Sequence, residues 1–258
     1  MEDDLRGNGQ TRCRLTAWSG KLSEKTLMKR WRIALGSAGV FAALAVSVRL
    51  GLVNAMDSII REWSRPNDVW GTAQQWADVV VEGLRPAVLA VLLTAFTLVY
   101  SVKQRSLKPL AFVAGVGIAT VAVTVATKIA VGRLNTHGVL GNHGGSFPSG
   151  HITAVIVCVG LCVLMTQRRA SRWVWLIPAF GAGLMGASLL LQAAHWFTDI
   201  VGGGLLATAV LAIAIASGGS RWIHDQSLDD HESVGSEREG QMLSLTSTGQ
   251  ADMDSRPI

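Results

Sequence analysis

Charged residues are scarce in this chain: Asp, Glu, Lys and Arg together make up 16% of its 258 residues, whereas a typical domain has about 25%. Cysteine is also rare, because the chain has only three, too few for the disulfide framework of a small secreted domain. Apolar residues are abundant, at 49% of the total with a mean hydropathy of +0.35. This balance excludes an ordinary soluble enzyme and predicts a polytopic membrane protein.

Uncharged apolar segments recur along the chain, and each is near the ~17 to 25 residues that a membrane-spanning helix needs. These segments lie at 33–53, 84–100, 109–127, 151–166, 173–192 and 200–218. We therefore predict an all-α fold, with a bundle of six membrane-spanning helices over residues 33–218. In the same prediction, residues 1–32 are a basic cytoplasmic segment and the polar residues 219–258 are a disordered cytoplasmic tail.

The net charge of +5 comes from basic residues placed near the ends of the apolar segments. Cytoplasmic loops of membrane proteins carry excess Lys and Arg, so these residues predict topology and no nucleic-acid partner. The residues concerned are Lys21, Lys25, Lys29, Arg30, Arg32, Lys103, Arg105, Lys108, Arg168, Arg169, Arg172 and Arg221. They predict a multi-pass protein of the cell membrane with both termini in the cytoplasm. Segments 54–83, 128–150 and 193–199 then face the extracytoplasmic side.

The first of these outer segments, 54–83, is more acidic than basic and carries Trp63, Trp70 and Trp76. Tryptophan is enriched where the membrane meets water, so we expect a helix lying in the plane of this interface. Arg49 stands near the outer end of the first apolar segment. We expect its side chain to extend to the interface, although a cation at this depth can also mark a functional site.

Polar and ionisable residues from three distant parts of the chain meet at the predicted outer face. Lys128 ends the third apolar segment, the run 148–151 opens the fourth, and the run 195–199 joins the fifth to the sixth. Ionisable groups are costly at membrane depth, and a cluster of them indicates a functional site. We therefore predict one site that contains all three parts.

The residue types in this cluster suit the transfer of a phosphoryl group. Two imidazoles, of His151 and His195, can divide nucleophilic attack from protonation of the leaving group. Asp199, four residues after His195, can reach one ring nitrogen and leave the other free. The cations Lys128 and Arg133 and the donors of Ser149 and Gly150, at a helix start, suit the oxygens of an anion. Catalysis of phosphoryl transfer is mostly such positioning and charge stabilisation.

Three strings carry a family resemblance: KIAVGR at 128–133, PSGH at 148–151, and S-x6-H-x3-D from Ser188 through His195 to Asp199. Together they resemble the three-part signature of the type 2 phosphatidic acid phosphatase (PAP2) superfamily, over the six-helix core at 33–218. The resemblance implies that His195 is the nucleophile and forms a phosphohistidine, with Asp199 as its orienting partner and His151 as the acid. It also implies that Lys128, Ser149 and Gly150 hold the phosphate, with no metal ion or other cofactor.

The chain departs from that signature at two places where the family has arginine. Asn135 and Thr136 stand where the first motif has Arg-Pro, and Leu189 stands where the third motif has Arg. Each lost donor could remove ~3 to 4 kcal/mol of transition-state stabilisation if nothing replaces it. Arg133 is expected to carry part of this load. His137 and His143, in the glycine-rich loop, could add donors, but such histidines are more often solvated.

The predicted function is an integral membrane phosphatase that hydrolyses a lipid phosphate or diphosphate at the extracytoplasmic face. Phosphatidic acid, phosphatidylglycerol phosphate and polyprenyl diphosphates all fit, and the lipid bilayer is the other partner. The alternative is a catalytically weakened protein of this type that binds a lipid phosphate, or helps to transport it, without hydrolysis. A soluble vanadate-dependent haloperoxidase has a similar phosphate-binding pattern, but the apolar segments argue against it. A metal site of His137, His143, His151 and His195 lacks a supporting cysteine or carboxylate pair.

Overall fold

The computed structural model of the chain describes residues 24–141, 144–167 and 172–224. These residues form helices and include no strand, which confirms the all-α fold. The α-helices are α1 (Glu24–Arg49), α2 (Asn54–Ser64), α3 (Thr72–Gly83), α4 (Pro86–Lys103), α5 (Lys108–Val131), α6 (Gly150–Thr166), α7 (Leu176–Leu191), α8 (Phe197–Ala216) and α9 (Gly219–His224). Short 3₁₀ turns at Pro66–Asp68 and Arg172–Trp175 precede α3 and α7.

Five stretches of helix in the described part of the chain are long and apolar enough to cross a membrane. They are Leu27–Arg49, Thr72–Lys103, Lys108–Val131, Trp173–Leu191 and Phe197–Ala216. The chain is therefore a multi-pass membrane protein. The predicted number of six is not confirmed, because the remaining apolar helix, α6, has only 17 residues.

The short helix α6 lies at the centre of the bundle, where it packs against α4, α7 and α8. Its inward side chains include Leu161 and Met165, which join Ala207 and Leu211 of α8 in one apolar cluster. The two helices approach closely at Gly160, where an added Cβ would lie 2.5 Å from Leu211 Cδ1. Because α6 is packed on several sides, its position is fixed, and residues at its end are held firmly enough to carry functional groups.

The outer helices present large apolar side chains away from the bundle. Val91 of α4 and Ile118 and Ile129 of α5 are all exposed. Such side chains can remain in contact with lipid, because lipid tails are as apolar as leucine. Their exposure is the pattern expected of helices that face a bilayer.

The outer segment 54–83 forms two helices, α2 and α3, instead of the one that the sequence predicts. They are separated by a turn in which Asn67 has a left-handed backbone with φ of 54°. Helix α2 is amphipathic, since Trp63 is 82% exposed whereas Asp57 is 1% exposed. Helix α3 is part of the second spanning stretch, which starts at Thr72, earlier than the predicted residue 84. That α2 lies in the membrane interface stays a prediction.

The described part of the chain is longer at both ends than the predicted membrane domain. Helix α1 begins at Glu24, before the predicted start at 33, and α9 continues to His224, beyond the predicted end at 218. Ile223 of α9 is buried in the cluster around Leu161. The rest of the two predicted tails, residues 1–23 and 225–258, lies outside the described residues.

Candidate active site

The turn between α7 and α8 holds His195 against Asp199. Ala193 takes a left-handed backbone with φ of 50° and reverses the chain, and α8 starts two residues after His195. Asp199 Oδ2 lies 3.3 Å from His195 Nδ1 and accepts the backbone N–H of Trp196 at 3.2 Å. The spacing of four residues predicts this contact, and the structure contains it. A proton on Nδ1 then points at the carboxylate and leaves the Nε2 lone pair free.

The PSGH run is fixed against the same helix, α8, by its backbone. The N–H of Ser149 donates to the carbonyl oxygen of Asp199 at 2.9 Å. Gly203 allows the two segments to meet, because an added Cβ there would lie 2.6 Å from the carbonyl oxygen of Ser149. Gly202 likewise lies against the ring of Phe147, which stacks on Phe41 of α1 with centroids 5.8 Å apart. Gly202 and Gly203 thus serve close packing.

These two turns bring the predicted histidine pair together. The rings of His151 and His195 have centroids 6.1 Å apart and planes inclined at 70°. One small group placed between them can contact both rings, which is the arrangement required for attack by one and protonation by the other. The side chain of His151 makes no hydrogen bond with any residue that the structure describes.

Ser149 stands just before the first residue of α6, with its hydroxyl turned into the protein. The residue is 0% exposed, and its Oγ has no hydrogen-bond partner within the described part of the chain. A buried hydroxyl without a partner loses the free energy of its bonds to water. Such an atom is suited to a ligand oxygen, and the first N–H groups of α6, which include those of Gly150 and His151, point toward the same end of the helix.

Lys128 comes from the last turn of α5 and reaches the loop that precedes the PSGH run. Its Nζ donates to the carbonyl oxygens of Gly145 at 2.8 Å and Ser146 at 3.3 Å. The charge of this lysine also acts on Asp199 and on His151. An ammonium has three donors, so Lys128 can hold the loop and still contribute charge to the site.

Arg133 lies in the cluster, but its guanidinium contacts protein groups that the sequence prediction did not foresee. Nη1 donates to Asp199 Oδ1 at 2.8 Å and to Thr198 Oγ1 at 2.7 Å, and Nη2 donates to Asp57 Oδ2 at 2.5 Å. The side chain is 9% exposed, and the guanidinium carbon lies 5.2 Å from the centroid of the Trp196 ring. These contacts do not favour the expected role in holding a phosphate, which stays a prediction.

Asp57 of α2 is the residue that the sequence reasoning missed. Its Oδ1 accepts the backbone N–H of Thr198 at 3.0 Å, and its Oδ2 accepts Thr198 Oγ1 at 2.6 Å as well as Arg133. The available signal in the sequence was an aspartate six residues before Trp63, which places the two side chains on different faces of a helix. Its partners could not be read from the sequence, because they are 76 and 141 residues away along the chain.

The residues that replace the family arginines have structural contacts of their own. Asn135 Oδ1 accepts the backbone N–H groups of His137 and Val139, which closes a tight turn, and Thr136 Oγ1 donates to the carbonyl oxygen of Ala193. Leu189 is 0% exposed in an apolar cluster with Val81, Leu89, Ile152, Val155 and Met185. Neither place therefore holds a cation.

His137 is exposed in its turn and is not part of the observed cluster. The other loop histidine, His143, lies outside the described residues. Within the described part of the chain, no group of three or more His, Cys, Asp or Glu side chains is placed to hold a metal ion.

Comparison with known proteins agrees with this architecture. The chain is similar in fold to the crystal structure of a transmembrane PAP2-type phosphatidylglycerolphosphate phosphatase from Bacillus subtilis, with a TM-score of 0.62 and 16% sequence identity. The match covers 72% of this chain and 95% of that one. No curated protein sequence matches the chain. The family model of the PAP2 superfamily matches residues 40–222, and the chain belongs to that superfamily.

Proposed function

We propose that this protein is an integral membrane phosphatase that hydrolyses a lipid phosphate or diphosphate through a phosphohistidine. The observation that carries the proposal is the pair of imidazoles, with centroids 6.1 Å apart, of which His195 is bound through Nδ1 to the buried Asp199. Membership of the PAP2 superfamily and the likeness to a membrane phosphatase support it.

The reaction would proceed in two displacements. In the first, His195 Nε2 attacks phosphorus and the bond from phosphorus to the lipid oxygen breaks, while His151 gives its proton to that oxygen. In the second, His151 takes a proton from water, the water oxygen attacks phosphorus, and the bond to Nε2 breaks. Inorganic phosphate leaves, and both histidines return to their first state.

The remaining residues would stabilise charge and geometry during these steps. Lys128, the Ser149 hydroxyl and the N–H groups of Gly150 and His151 hold the equatorial oxygens, where negative charge is concentrated in the transition state. Asp199 stabilises the charge that develops on the ring of His195. Arg133 is a positioning residue in this proposal, because its donors bind Asp199 and Asp57.

The substrate is proposed to be an amphiphile on the extracytoplasmic side of the cell membrane. The apolar outer surface of α4 and α5 favours a substrate whose tail stays in lipid. The excess of Lys and Arg in the opposite loops favours cytoplasmic termini and an outward-facing site. Because the Bacillus protein is named as a phosphatidylglycerolphosphate phosphatase, that lipid is the first to test, followed by phosphatidic acid and polyprenyl diphosphates.

A second candidate function is binding or transport of a lipid phosphate without hydrolysis. The contacts of Arg133 with two carboxylates and the burial of Leu189 in an apolar cluster favour it. Lys128 and Arg85, whose charges both act on His151, are then the described cations near the phosphate, and Arg85 is already paired with Glu82. This lowers the expected stabilisation of the transition state.

The two functions are separated by phosphate release from short-chain lipid phosphates in detergent. We expect the purified wild type to release phosphate, and we expect His195→Ala to reduce kcat by about 10³-fold or more, since the nucleophile is lost. A matched histidine substitution in the polar tail, His231→Ala, should retain the wild-type rate. Equal rates for the wild type and His195→Ala would leave only the binding function.

A further inference from the structure

We propose that a cleft beside the catalytic cluster binds a second phosphoryl group of a lipid, with Arg49 as its principal cation. The inference rests on the proposed function, since it concerns the lipid that approaches the same site. The cleft has a volume of about 380 Å³ and lies between the end of α1, the start of α2 and the end of α5. Its lining includes Arg49, Gly51, Asn54, Gly132, Arg133 and Trp196.

The charge of this cleft is not neutralised by the protein. Arg49 is exposed and forms no ion pair with any carboxylate in the described ranges. Arg133, by contrast, is bound to Asp57 and Asp199 on its other side, and neither of these carboxylates lines the cleft. The cleft is therefore cationic, with one guanidinium whose donors are open to a ligand.

The other lining groups leave room for an anion, while the backbone N–H groups of Gly51 and Gly132 already donate to the carbonyl oxygens of Val48 and Lys128. Gly51 and Gly132 line the cleft in left-handed conformations, with φ of 72° and 61°. The side-chain amide of Asn54 adjoins Gly51 and makes no side-chain hydrogen bond with a described residue. Trp196 forms a fixed wall, because its Nε1 donates to the carbonyl oxygen of Leu134 at 3.0 Å. The volume is within the ~300 to 1,000 Å³ of ordinary ligand sites.

The cleft adjoins the catalytic cluster and lies at the depth of lipid phosphates. Arg133 and Trp196 line it, and the same two residues contact Asp199 through a guanidinium bond and a backbone N–H. Arg49 ends a spanning helix, which is the depth at which lipid phosphates meet water. The second phosphoryl group can belong to the substrate itself, as in a phosphatidylglycerol phosphate, or to a neighbouring anionic phospholipid.

The test compares Arg49→Gln with the matched control Arg105→Gln, which removes an exposed arginine from the loop between α4 and α5. Short-chain phosphatidic acid, with one phosphoryl group, and short-chain phosphatidylglycerol phosphate, with two, are hydrolysed in nonionic detergent. If the substrate supplies the second group, Arg49→Gln should raise KM about tenfold for the second lipid only, the effect of one charged hydrogen bond. The kcat for both lipids should stay unchanged.

If a neighbouring lipid supplies the group, the effect should appear when phosphatidylglycerol is added to the micelles. Wild type and Arg105→Gln would then be stimulated in hydrolysing phosphatidic acid, and Arg49→Gln would not. The proposal is overturned if Arg49→Gln matches Arg105→Gln in both assays.

If the wild type releases no phosphate, the cleft can still be tested by measuring lipid binding. Short-chain phosphatidylglycerol should raise the Tm of the wild type and of Arg105→Gln, and should raise that of Arg49→Gln less. Equal shifts in all three proteins would refute the cleft site independently of the proposed activity.

Discussion

The two histidines of the site differ in the side chains that lie behind them, although the charges of Lys128 and Arg85 also act on His151. Behind His195 lies a group of buried polar side chains, Asp199, Arg133, Asp57 and Thr198, joined by hydrogen bonds of 2.5 to 3.3 Å. The chain that follows His151 instead enters an apolar cluster through Ile152, which packs with Leu189 and Met185. We call these two regions the charged side and the apolar side of the site.

The two sides therefore suit different roles: the charged side orients the ring of His195, and the apolar side leaves the ring of His151 free for proton transfer. On the charged side, an arginine lies between two carboxylates, so that each buried charge has a partner and the ring of His195 is held in one orientation. On the apolar side, the ring of His151 has no side-chain hydrogen bond to a described residue. An oriented ring suits a nucleophile, and an uncommitted ring suits an acid that must give up and regain its proton.

The largest effect is expected from placing a cation on the apolar side. Leu189→Arg restores the residue type of the family motif, but the side chain at this position is 0% exposed among apolar neighbours. Burying one unpaired charge should lower the free energy of unfolding by roughly several kcal/mol, which a thermal denaturation series in detergent measures. Leu189→Met, of similar volume, should change it by less than ~1.5 kcal/mol.

A gain of phosphatase activity in a well-folded Leu189→Arg protein would contradict this comparison. It would mean that position 189 faces the phosphate and that the apolar side is part of the binding site.

The next effect is expected on the charged side. Asp57→Asn keeps the shape of the side chain but removes one of the two carboxylates that neutralise Arg133. Breaking a buried ion pair costs about 3 to 5 kcal/mol of stability, so Tm should fall. Because Asp57 acts through Arg133 and Thr198, kcat should also fall with little change in KM. Both are measured on the same preparation.

The control for Asp57 is an acidic residue of the same segment that lies in a surface pair. Asp68→Asn, at a residue paired with Arg61 and Arg65 and half exposed, should change Tm little, since exposed pairs contribute ~0 to 1 kcal/mol. A fall of Tm in Asp57→Asn with unchanged kcat would restrict Asp57 to a structural role.

The smallest effect on stability is expected between the two regions, at Ser149. Ser149→Ala removes a buried hydroxyl that has no partner in the described part of the chain, so Tm should stay the same or rise. The kcat should nevertheless fall about 10²-fold to 10³-fold, as when one preorganised donor is removed from a transition state. Activity equal to the wild type would exclude the Ser149 hydroxyl from the phosphate site.

Local patterns predicted a large part of the fold and of the site. Runs of apolar residues predicted the helices, and the spacing of four residues predicted the contact of His195 with Asp199. The three-part sequence signature predicted the superfamily, which the family match confirms. The predicted ends of the helices were less accurate. Helix α1 begins before the apolar run, and the second span begins earlier than predicted, because it includes α3.

Other features of the site were beyond prediction from sequence. Arg133 was expected to hold a phosphate, and Asp57 was given no role of its own within the expected interfacial helix of segment 54–83. Their ion pair depends on how α2 packs against the end of α5 and the start of α8, which no spacing along the chain specifies. The packing of other helices, α3, α4 and α6 against α7, buries Leu189, a position that the family signature alone would place at the phosphate.

The amino-acid sequence by itself determined the helical class, the membrane class and most of the residues that meet at one end of the bundle. These follow from local physical chemistry, since apolar length selects a spanning helix and positions four residues apart share a helix face. Only the tertiary structure decided which charges pair, which hydroxyl is left without a partner and where a cationic cleft opens. Those properties depend on distances between segments far apart in the chain, which only the packing of the helices sets.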